Sequence, residues 1–126
     1  MNSVKNSTLH SKSYAFALKI IEVCRDLMSD KKEFVLSKQL LKAGTAIGAL
    51  IREAEYAQST ADFISKLSIA LKEANETEYW ISLLKDSSLL NPTKAEKLES
   101  EIDELIRMLV ASIKTLKNKK LNQNKE

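Results

Sequence analysis

One histidine, His10, one cysteine, Cys24, and a scatter of carboxylates are the groups with which this chain could do chemistry. Glu73 and Glu76 stand three apart, and Glu53 and Glu55 close another helical segment. A di-iron helix bundle needs inward glutamates on all its helices and two Glu-x-x-His pairs, which a lone histidine cannot supply. The carboxylates are therefore expected to form solvated ion pairs with Arg52, Lys66 and Lys72. Nucleophilic catalysis needs a nucleophile with a base beside it. The sequence offers no second histidine, no G-x-S-x-G turn and no glycine-rich phosphate loop. An active site shared between subunits, from Arg52, Glu53, Glu73 and Tyr79, is the one enzymatic arrangement the residues allow. The expectation is a protein that is not an enzyme, without catalytic residues, metal or cofactor. Cys24 reads as a small buried hydrophobe, with a reactive thiol as the alternative.

Cations are the other chemistry. The net charge is only +3, but it is uneven. Residues 1–50 hold 8 basic and 4 acidic side chains, 51–90 hold 4 and 7, and 91–126 hold 8 and 6. Lys38 and Lys42, with Lys114, Lys117, Lys119 and Lys120, are candidate phosphate contacts if the chain brings the two groups to one end. Ordinary solubilising charge is the alternative. Gly44 and Gly48 lie four apart, on one helix face. Each costs about 1 kcal/mol against alanine in a helix interior, so a close backbone approach is expected there, either inside the bundle or between subunits. Ile69, Ile106 and Val110 widen the apolar faces beyond one stripe and mark further candidate subunit contacts. Trp80 is expected in the core or an interface.

The elements that position these residues are helices. Two glycines and one proline are too few to punctuate a many-stranded fold of this length. The first helix is predicted over about 12–28, with Tyr14, Ala17, Ile21, Cys24 and Met28 facing inward and Ile20 and Leu27 widening that face. The second covers about 31–57, capped by Asp30 with Glu33, and carries Phe34, Leu40, Gly44, Ile47, Ile51 and Ala54 inward. The third, about 60–86, opens at Ser59-Thr60-Ala61-Asp62 and buries Phe63, Ile64, Leu67, Leu71, Ala74, Ile81 and Leu84. The fourth, about 92–117, is capped by Asn91 with Pro92 at its first position. It buries Leu98, Ile102, Leu105, Leu109, Ile113 and Leu116. Residues 1–10 and 118–126 are expected to be flexible. Short connections make this one all-α domain, an antiparallel up-down-up-down four-helix bundle. No apolar run nears the roughly 18–20 residues of a membrane span, and the N-terminus has no secretory apolar core. A cytoplasmic location is expected.

The stretch from Thr45 to Ala57, TAIGALIREAEYA, and that from Asp62 to Trp80, DFISKLSIALKEANETEYW, resemble the four-helix-bundle family of 23S rRNA intervening-sequence proteins. The family's better-known pattern at the end of its second helix reads N-I-A-E-G. Here Leu50-Ile51-Arg52-Glu53-Ala54 stands in its place, which resembles a variant branch. The resemblance implies a ring-like homopentamer. Some members are encoded inside insertions within 23S rRNA genes. Related bundles serve diversity-generating retroelements, where a basic pentamer contacts nucleic acid and a reverse transcriptase. No catalytic residues come with it. The expected function is an oligomeric adaptor associating with structured RNA or DNA; the alternative is a scaffold ring holding a polymerase or another protein partner.

Overall fold

The computed structural model describes residues 8–125, with side chains through Asn122. The predicted flexibility of residues 1–7 and of Glu126 lies outside the described residues. Four helices follow one another: α1 (Thr8–Asp30), α2 (Val35–Ala54), α3 (Thr60–Asp86) and α4 (Pro92–Lys125). Each packs on the next, α1 approaches α4 less closely, and the backbones of neither diagonal pair come within 8 Å. This is the antiparallel four-helix bundle expected from the spacing. The end of α1, the start of α2, the end of α3 and the start of α4 share one end, called upper below.

Local chemistry sets the helix ends. Asn91 Oδ1 accepts from the N–H groups of Thr93 (2.8 Å) and Lys94 (3.3 Å), with Pro92 in the first position, as predicted. Ser59 Oγ accepts from Asp62 N–H at 3.0 Å. Between α1 and α2 the expectation fails, because Asp30 is the last residue of α1 and not a cap. The chain reverses through Lys32 at φ 55°, and Glu33 accepts from Leu36 N–H (2.9 Å), Ser37 N–H (2.8 Å) and Ser37 Oγ–H (2.9 Å). Burial works to raise the Glu33 pKa, but these hydrogen bonds prevail and hold it below the usual carboxylate range. Helix α2 thus begins at Val35 rather than residue 31. It ends at Ala54 rather than 57, in tight bonds from Glu55, Tyr56 and Ala57 N–H to Arg52, Glu53 and Ala54 carbonyls. Helix α1 begins at Thr8, earlier than predicted, and α4 continues as helix through residues 118–125, which were expected to fray.

The core agrees with the sequence on three helices. Leu40, Ile47, Ile51, Phe63, Leu67, Ile81, Leu84, Ile102, Leu105 and Leu109 are all buried. Phe34, expected inward, is exposed at the α2 entrance. Helix α1 buries Ile20, Cys24 and Leu27 as expected, but its buried face continues through Leu9, Ser13 and Phe16, while Tyr14 is 57% and Ile21 37% exposed. Two apolar stripes run along α1, and the one containing Phe16 won the core.

Candidate nucleic-acid interface

The topology separates the lysines that the sequence analysis grouped. Helices α2 and α4 run in the same direction, so the start of one is level with the start of the other. Lys38 and Lys42 belong to the upper half of the bundle. Lys114 to Lys120 belong to the lower end, roughly 30 Å down α4 at 1.5 Å per residue. The expected pooling of all six into one patch is therefore corrected: they form two groups. Lys42 faces acid, its charge falling on Glu73 of α3. Burial raises the Glu73 carboxyl above its usual range and Glu76 adds to this, while Lys72 and Lys42 oppose it.

The lower group stands alone. Between Glu104 and Glu126 the sequence contains no carboxylate. Lys114, Lys117 and Lys119 are exposed and Lys120 is half-buried, and among the described residues none of the four enters an ion pair. Steps of three residues keep Lys114, Lys117 and Lys120 within about one third of the helix circumference. Lys66 adds a cation on α3 at this end of the bundle, where the Asp62 carboxylate is occupied by Gln58 N–H at 3.2 Å.

The first half of α4 is the reverse. Its carboxylates meet lysines of neighbouring helices: Lys12 with Glu104 at 2.6 Å, Lys19 with Glu101 at 2.8 Å, and Lys85 with Glu99 at 2.9 Å. The hydrogen bond to Glu99 raises the Lys85 pKa. Asp103 pairs with Arg107 one turn on.

A second surface went unrecognised in the sequence. Tyr14, Ala17, Leu18 and Ile21 of α1 and Gly48, Ala49 and Tyr56 beyond them enclose an apolar groove of about 500 Å³. Leu18 is 53% and Tyr56 76% exposed. The signal lay in the doubled apolar stripe of α1. Beside the groove, His10 Nδ1 lies 2.7 Å from Glu55, whose side chain is only 7% exposed.

The two glycines serve different ends. Gly44 is buried under Ile20, where a Cβ would lie 2.9 Å from two Ile20 carbons, so its close approach is made inside the bundle. Gly48 faces Ser13 with room for a Cβ at 3.5 Å, and it floors the groove. Among the other candidate subunit contacts, Ile69 (41%) and Val110 (47%) are exposed on α3 and α4, whereas Ile106 packs partly against the core. Trp80 is half-buried against the core, edge-on to Tyr79 at 5.1 Å.

The residues of the shared-site arrangement do not gather in one chain. Arg52 and Glu53 lie at the lower end of α2, whereas Glu73 lies beside Lys42, ten residues or about 15 Å higher. Among the described residues no three His, Cys, Asp or Glu side chains gather as a metal site requires, and no helix is long and apolar enough to cross a membrane.

Comparison with known proteins shows a family and a fold. A family model described as 23S rRNA-intervening sequence protein matches residues 5–111. A solved structure from Bacteroides thetaiotaomicron, of a protein with unknown function from the S23 ribosomal protein family, is 48% identical with a TM-score of 0.84. The match covers 85% of this chain and 99% of that one. Among curated proteins none matches. The span matched by the family stops short of Lys114, so the four unpaired lysines lie on the part of α4 beyond it.

Proposed function

Because this chain belongs to the family of 23S rRNA-intervening sequence proteins, we propose that it is a cytoplasmic, non-enzymatic, oligomeric adaptor that associates with structured RNA or DNA. The observation that carries this reading is the lower arm of α4, where Lys114, Lys117, Lys119 and Lys120 enter no ion pair among the described residues and no carboxylate occurs between Glu104 and Glu126. Lysines of this kind act on phosphates as point charges and make binding sequence-tolerant and salt-dependent. Copies of the chain assemble through the α1–α2 groove, where Tyr14 and Tyr56 offer the aromatic anchors that interfaces favour. A homopentamer, as the family resemblance implies, would present five such arms.

The test is binding of a structured RNA at two salt concentrations, by the native chain and by one with Lys114, Lys117, Lys119 and Lys120 changed to Glu. Binding that weakens steeply with salt and disappears in the variant supports the adaptor. Sedimentation of Leu18→Asp tests assembly: the variant should run as a smaller species.

A second reading, a scaffold holding a polymerase or another protein, is favoured by the exposed Phe34, Val35, Tyr79 and Leu83 on α3 and at the α2 entrance. It predicts nucleic-acid binding that is weak at low salt and indifferent to the lysines.

A further inference from the structure

We infer that the α4 arm takes the phosphate backbone of a double helix, RNA or DNA, in preference to single strands; this rests on the adaptor reading above. The cations of the arm are all lysines. Arg107, the nearest arginine in sequence, is held by Asp103. Lysine lacks the planar fork with which arginine grips a guanine edge in both the N7 and O6 positions, so the arm contacts charge rather than sequence.

The arm also lacks what single-strand binding requires. Such sites stack bases on aromatic side chains, and no Phe, Tyr or Trp occurs after Trp80. The exposed aromatics stand elsewhere: Phe34 at the α2 entrance, Tyr79 on α3, and Tyr14 and Tyr56 on the α1–α2 groove, which lies on the other flank of α1 from Lys12 and Lys19, the residues that meet α4.

Geometry favours a rigid duplex. Lys114, Lys117 and Lys120 ride on continuous helix, on one sector, over about 9 Å of rise. A preformed row of charges loses little freedom on meeting a regular row of phosphates. A single strand would have to be ordered against it without stacking to offset that cost.

Fluorescence anisotropy decides the matter, with an RNA duplex of about 20 base pairs, its DNA counterpart and a mixed-sequence single strand of equal length as probes, each titrated over a range of salt. Both duplexes should bind at least about tenfold more tightly than the single strand, with a log–log salt slope near −3 to −4 per engaged subunit from four lysines. Changing Lys114, Lys117 and Lys120 to Gln should remove most of that slope while circular dichroism stays unchanged. Equal or tighter binding of the single strand overturns the duplex inference and leaves the adaptor reading standing. Failure of all three probes to bind at low salt overturns both.

Discussion

Against α2, helix α1 is held by depth of packing: Ile20 sits over the bare backbone of Gly44, and Cys24 Sγ–H donates to the Ser37 carbonyl at 3.3 Å. Against α4, the same helix is held mainly at arm's length, by Lys12–Glu104 and Lys19–Glu101 across a cleft of about 380 Å³. One flank relies on shape and excluded water, the other on charges half open to solvent. Exposed ion pairs contribute little, commonly 0.2–1 kcal/mol, whereas a buried isoleucine contributes several times that. The difference teaches that α1 is held in the bundle by its seam with α2, and that its seam with α4 only closes the ring of helices.

Four variants can break or sharpen that comparison. The largest effect is expected from Ile20→Ala, which should cost about 3 kcal/mol in urea denaturation, within the range for emptying a buried aliphatic site. Next, Gly44→Ala should cost about 1–2 kcal/mol, because overpacking against Ile20 outweighs the gain in helix propensity. Gly48→Ala, four residues on, should stabilise by up to about 1 kcal/mol, its Cβ meeting only ordinary contacts. Equal and opposite responses at the two glycines would sharpen the contrast; a penalty at Gly48 would break it. The smallest effect belongs to Lys12→Gln with Lys19→Gln, together under about 1 kcal/mol at low salt and close to nothing at 1 M. A loss as large as that of Gly44→Ala would make the ionic seam an equal partner.

Much of the bundle was legible because helical spacing, the Asn91-Pro92 start and the Ser59 cap act locally. On α1, Ile20, Cys24 and Leu27 were read correctly and Tyr14 and Ile21 were not, because Tyr14-Ala17-Ile21 and Phe16-Ile20-Leu27 obey the same spacing. Which stripe is buried depends on neighbouring helices that periodicity does not see. Asp30 and Glu33 fit a capping box in sequence, but the left-handed Lys32 turns the chain so that Glu33 alone reaches the α2 amides. The lysines were wrongly pooled, although the up-down order itself sends the second and fourth helices the same way. Their lack of partners is a tertiary fact, set by where the lysines of α1 and α3 meet the acidic half of α4.

Cys24 is the only thiol in the chain, and it lies buried in the α1–α2 seam. Burial, reinforced by the charge of Glu33, pushes it up to about 12, against about 8.5 for an exposed thiol. Its folded pKa is the higher one, so its contribution to stability is full below about pH 8.5 and fades as the pH climbs toward 12. At neutral pH the folded chain presents no thiolate to an alkylating reagent. Each labelling event therefore records one parting of α1 from α2. The cysteine is a built-in clock for that opening, and copies of the chain cannot become disulfide-linked until it has ticked.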